Sequence, residues 1–86
     1  MVNAMETKAL MERIASDPRV MAGQPVIRGT RLTVAYILRL LASGASEAEI
    51  LQEYEGLTQE DLRACLLFAA ETLENISFAP LKVEAG

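Results

Sequence analysis

Apolar residues fall at Val34, Ile37, Leu38 and Leu41, the i, i+3, i+4, i+7 spacing of one helix face. Thr33 just before them is a good N-cap and Gly44 just after them a stop, so the pattern predicts a helix from Val34 to about Ser43. Ser46-Glu47-Ala48-Glu49 reads as a capping box and announces a second helix carrying Ile50, Leu51 and Tyr54, ending near Gly56. A third starts after Thr58, with Asp61 three residues on, and runs from Gln59 to about Glu74. Its stripe is Leu62, Cys65, Leu66, Ala69 and Leu73, widened by Leu67, Phe68 and Ala70. A helix apolar on most sides is buried on most sides: it either crosses the core or meets its copy in a second subunit.

The first third of the chain has no helical period beyond a short turn in residues 6–12. Met11 to Ala15 suits a strand, ended by Ser16-Asp17-Pro18, since aspartate before proline favours a turn. In Gln24-Pro25-Val26-Ile27-Arg28-Gly29-Thr30-Arg31-Leu32-Thr33, Gly29 suits the first central position of a type II′ hairpin turn. Val26 and Ile27 would face Leu32 across it as two very short strands, and Gly23 and Pro25 fix the approach. Residues 1–5 and 79–86 are expected to fray, leaving an ordered core of about 13–76 in a single domain spanning 1–86. The architecture expected is mainly α: a compact three-helix helix-turn-helix domain with a short N-terminal strand or hairpin.

Composition changes this picture in two ways. With 86 residues, a core must be thin, yet 51 % of the residues are apolar. That excess predicts self-association as a homodimer, with Leu66, Leu67 and Phe68 or edge pairing of the strands as the contact. The chain has no histidine and one cysteine, Cys65. Imidazole catalysis, an intrachain disulfide and a multi-cysteine zinc site are therefore excluded, and no metal or cofactor is expected. The longest apolar run, Ala64 to Ala70, falls far short of the roughly 20 residues a membrane span needs. A cytoplasmic protein with no membrane role is expected.

Charge is unevenly placed. Residues 1–39 hold six basic against three acidic side chains, and residues 40–86 hold two against nine. The first half is the anion-attracting one. Arg28 and Arg31 flank the proposed turn with Thr30 between them, and Arg19 and Arg39 add to the cationic excess. Guanidinium forks on a stiff loop hold carboxylates or phosphates bidentately; equally, they can brace the loop against its own carbonyls or the acids of the second helix. The helix carboxylates read as solvated faces, Cys65 as core, and Tyr36 and Tyr54 as packing residues. A helix-turn-helix would put the start of the third helix into the DNA major groove. Here that start is Gln59-Glu60-Asp61, whose carboxylates would repel phosphates.

Four segments together resemble one small bacterial family, known as domain of unknown function four-three-three. They are Ile14-Ala15-Ser16-Asp17-Pro18, Gly23 to Val34 with its Gly-x-Pro-x-Ile-Arg-Gly-Thr-Arg run, Leu40 to Ser46, and Glu53 to Thr58. The likeness spans about residues 13–73. Two departures stand out: Glu55 where the family usually has proline, and Ala22-Gly23 where it often has a glycine pair. The resemblance implies a homeodomain-like helix-turn-helix domain, often dimeric. It also implies a gene beside a small PIN-like nuclease, hence the antitoxin of a toxin–antitoxin pair.

The functional expectation is a non-enzymatic binding protein that neutralises such a nuclease and regulates its own operon by binding DNA. In it Arg28 or Arg31 plugs the carboxylate cluster that holds the nuclease's magnesium, while the acidic helices cover its basic RNA-binding surface. The rival expectations are a stand-alone transcriptional regulator and a dimeric protein-interaction module with no nucleic-acid role. Without histidine, and in a chain too small to enclose a deep cleft, an enzyme with a small-molecule substrate is not expected.

Overall fold

Three helices begin where their caps place them in the computed structural model, which describes residues 4–76. Around them the chain runs α1 (Ala4–Met11), β1 (Ile14–Ala15), β2 (Val26–Ile27), α2 (Val34–Ala42), α3 (Glu47–Glu53) and α4 (Gln59–Glu74). Thr33 Oγ1 accepts from Tyr36 N at 3.0 Å and starts α2. At α3 the capping box is complete: Ser46 Oγ accepts from Glu49 N, and Glu49 Oε1 accepts from Ser46 N. The same reciprocal pair opens α4, between Thr58 and Asp61. Each such cap stabilises its helix by about 1 kcal/mol.

Gly44 ends α2 because its φ of +104° is open to glycine at little cost. Gly44 N then donates to Leu41 O and Ala45 N to Leu40 O, both at 3.1 Å, the paired bonds of a Schellman motif. Ala45 is thereby set against the core beside Leu40 and Leu41. The turn at Gly56 (φ +94°) joins α3 to α4 as a helix-turn-helix.

The fold is mainly α, as the pattern predicts, but it has a fourth helix. α1 occupies residues expected to hold only a short turn, and it starts at Ala4, inside the stretch expected to fray. None of its residues is buried, which is why it left no amphipathic period. It is held by packing along α4, with Leu10 against the core. Met11 therefore ends a helix, and the strand expected from Met11 shrinks to Ile14–Ala15. The second expected frayed end, 79–86, lies outside the described residues.

The hairpin also differs from expectation. β2 pairs antiparallel with β1, Ile14 opposite Ile27 and Ala15 opposite Val26. On its other side it receives only an isolated bridge, Val26 to Thr33, with Ile27 N donating to Leu32 O. The tight turn is Ile27–Thr30, closed by Thr30 N on Ile27 O at 2.9 Å. Gly29 takes its second central position at φ +83°, while Arg28 before it has negative φ. This is the signature of a type II turn, not type II′. The expected aspartate-proline turn does form, with Val20 N on Asp17 O. Beyond it Met21, Ala22 and Gly23 all have positive φ, at 49°, 58° and 83°.

The core is Ile14, Ile27, Val34, Ile37, Ile50, Leu62, Ala64 and Cys65, with Ile37, Leu62 and Cys65 fully enclosed. Burial of each large aliphatic side chain contributes about 1.5–3 kcal/mol. On α4 the buried face is Asp61, Leu62, Ala64 and Cys65, continued by Phe68. The expected stripe is thus rotated: Leu66 (47 % exposed) and Leu73 (65 %) turn outward. The cause is α1, which covers one flank of α4 while α2 covers another.

Candidate functional site

The most distinctive sequence segment builds a cleft. Its backbone is fixed from three sides: Arg28 N donates to Arg13 O, Ile27 N to Leu32 O, and Val34 N to Pro25 O. Thr30 Oγ1 donates to Ile27 O and accepts from Leu32 N, so its hydroxyl holds the turn shut. Against this turn stands the Asp17–Val20 loop. Between them lies an open cleft of about 480 Å³, lined by Ala15, Val20 and Val26 and by Asp17, Arg28, Thr30 and Arg31.

Three of the five cationic or polar residues singled out in the sequence, Arg28, Thr30 and Arg31, therefore meet in one place. Their roles differ. Arg28 Nε donates to Glu12 O at 2.7 Å and Nη2 to Ile14 O at 3.4 Å, so this side chain straps the turn to the end of α1 and to β1. Arg31 is exposed, and among the described residues it has no hydrogen bond or ion pair. The bracing alternative thus describes Arg28, while Arg31 is left with its fork unoccupied. Arg19, on the adjacent loop, is clamped to Asp17 by Nε–Oδ1 and Nη2–Oδ2 contacts of 3.2 and 3.1 Å. Those bonds hold the Asp17 carboxyl below the usual carboxylate range. Arg39 is exposed in the last turn of α2, away from the cleft lining.

Sequence reasoning missed two ionic features. Asp17 belongs to the cleft wall, and Asp61 is not a solvated acid: it is 7 % exposed and bonded to Arg13 Nη1 at 3.1 Å. The first could have been read from Asp17-Pro18-Arg19, where an aspartate side chain caps its own turn two residues on. The second spans 48 residues and left no local trace.

Of the dimer candidates, Leu66 is exposed, Leu67 is half-buried, and Phe68 packs on the core of its own chain. Tyr36 and Tyr54 pack edge-to-face at 6.1 Å with their hydroxyls hydrogen-bonded, which joins α2 to the end of α3 and raises the Tyr54 pKa. Cys65 is core, and burial, with help from the Asp61 charge, pushes its thiol up to about 11. Among the described residues, no three histidine, cysteine or carboxylate side chains gather as metal ligands, and no helix is long and apolar enough to cross a membrane.

The profile of the family described as protein of unknown function (DUF433) matches residues 14–69, which include both sides of the cleft. The chain is 33 % identical over 61 residues to the uncharacterized protein y4eO of Sinorhizobium fredii (strain NBRC 101917 / NGR234). That likeness takes in 71 % of this chain but only 28 % of the relative, so the chain spans about a quarter of that protein's length. It also superposes on the 2.00 Å crystal structure of a DUF433 member protein from Anabaena variabilis ATCC 29413, with a TM-score of 0.70 and 36 % identity. There the match covers 78 % of this chain and 66 % of the other. Carrying the hairpin, the arginine turn and the helix-turn-helix within the matched stretch, this chain belongs to the DUF433 family.

Proposed function

We propose that the chain is a non-enzymatic binding module of the antitoxin type, acting in the cytoplasm and gripping a protein partner through the cleft beside Arg31. The observation that carries this reading is the contrast between Arg28 and Arg31. One guanidinium is spent on fixing the turn; the other sits on that fixed turn, exposed and without a partner among the described residues. A cation pre-positioned on a rigid loop loses little entropy on binding and pairs strongly with carboxylates. The carboxylate cluster of a PIN-like nuclease is such a target, with Arg31 standing where the nuclease's magnesium would. Leu66 and Leu73, exposed one above the other on α4, support assembly of two such chains.

Use of α4 as a DNA-reading helix is disfavoured by its first turn. Glu60 is exposed there, and Asp61 is tied into both the cap and the Arg13 contact.

Co-expression with a PIN-like nuclease, the partner this reading calls for, tests it. The native chain should restore growth, Arg31→Ala should not, and both should show the same urea midpoint. Growth restored equally by Arg31→Ala would overturn the assignment. Salt-dependent operator binding by the isolated chain, without any effect on the nuclease, would replace it with a transcriptional regulator.

A further inference from the structure

Among the described residues, three guanidinium groups lie around the cleft, and Arg31 is the one without a partner. Arg28 is committed to the carbonyls of Glu12 and Ile14. Arg19, its side chain 88 % exposed, is paired with Asp17, whose Oδ1 also accepts from Arg19 N at 2.8 Å. Asp17 itself stands on the cleft wall with Arg31. Among the described residues a ligand therefore meets one cation without a partner, the Asp17 carboxylate already paired with Arg19, and the apolar side chains of Ala15, Val20 and Val26.

Nucleic acid needs something different. A phosphodiester chain carries a charge at every nucleotide and is bound by a track of cations. Here a second phosphate beside the one on Arg31 would meet the Asp17–Arg19 pair and not a second unpaired cation. A glutamate or aspartate side chain asks for one planar fork and an apolar wall for its methylenes, and both are present.

We propose that Asp17 is a specificity-determining residue. By pairing with Arg19 it keeps that guanidinium from adding to Arg31, and so favours a single side-chain carboxylate of a protein partner over a phosphodiester chain. The inference rests on the reading of this cleft as a protein-binding site. The Arg19 hydrogen bonds lower the Asp17 pKa, so the pair persists into acid.

The test is a heteronuclear NMR titration of the isotope-labelled full chain with three probes. These are an acetylated, amidated peptide Ala-Val-Glu-Ala-Ala, its glutamine counterpart, and an oligothymidylate of about ten nucleotides. The glutamate peptide should shift the amides of Gly29, Thr30 and Arg31 saturably. The glutamine peptide should bind about tenfold more weakly, as befits loss of a charge-assisted pair. Oligothymidylate should leave those amides in place, and Arg31→Ala should remove the glutamate response.

Asp17→Asn keeps an oxygen to accept from Arg19 N, so the turn survives while the ion pair does not. That variant should bind oligothymidylate about fivefold or more tightly than the native chain, because it frees the Arg19 guanidinium. Equal binding of the glutamate and glutamine peptides, oligothymidylate binding at these amides in the native chain, or an unchanged preference in Asp17→Asn would each overturn the proposal. Growth dependence on Arg31 without these NMR responses would remove this inference and leave the module reading standing.

Discussion

Arg13 Nη1 lies 3.1 Å from Asp61 Oδ1, and this one contact ties the residue before β1 to the first turn of α4. Asp61 uses its other oxygen to accept from Thr58 N at 3.0 Å, so a single carboxylate both caps a helix and docks it. The side chain of Asp61 is 10 % exposed and that of Arg13 41 %, so the two ends of the pair carry unequal costs. Asp61→Ala loses the cap and the pair together and should cost about 2–3 kcal/mol. Arg13→Met should cost about 1 kcal/mol, because water reaches the guanidinium and screens the pair. Urea midpoints of the two single variants and the double variant give the coupling directly; additive losses would show that the pair contributes nothing.

Ala22 carries φ +58°, a left-handed conformation that costs an L-residue about 1–2 kcal/mol. Ala22→Gly should raise stability by about 0.5–1 kcal/mol, the relieved strain outweighing glycine's greater unfolded-state entropy. A thermal scan showing a lower melting temperature would refute this.

Cys65 is fully enclosed, and its thiol is pushed up to about 11, first by burial and then by the Asp61 charge. Only the thiolate attacks disulfide reagents. At neutral pH the native chain should therefore react with Ellman's reagent far more slowly than in urea, with the rate following the unfolded fraction. Rapid labelling of the native chain would contradict the burial.

Asp17 gives a pH signature of known sign. Its folded pKa lies below the ordinary 3.8, chiefly through the Arg19 side-chain hydrogen bonds. The contribution of that pair is fully present above 3.8 and is lost as pH falls through the folded value, so the Asp17–Val20 turn loosens only in strong acid. Arg19→Ala should move the Asp17 carboxyl back up toward 3.8, which an NMR titration of its carboxyl carbon reads.

What was legible in the sequence is local. Thr33, Ser46 with Glu49, and Thr58 with Asp61 act within four residues of themselves, and the three helices they open begin at the expected residues. What failed depends on distant partners. The turn at Gly29 is type II, not the type II′ its local sequence suggests, because the principal partner of β2 is β1, not Leu32. The buried stripe of α4 was rotated because α1, itself without a buried residue, covers one flank. The site was half legible: Arg28 and Arg31 stand out by composition, but only their hydrogen bonds separate the brace from the free fork.

The strap from Arg28 to Glu12 O has a consequence for any shortened form of this protein. A fragment cut back to Ile14 would still contain all of the matched stretch, 14–69, yet it would discard the carbonyl that Arg28 grips most closely. The released arginine would be free to swing toward the opening, beside Arg31. If Arg31 grips carboxylates as proposed, such a trimmed protein would bind anions more avidly and discriminate among them less well, the carbonyl just past α1 being the tether it has lost.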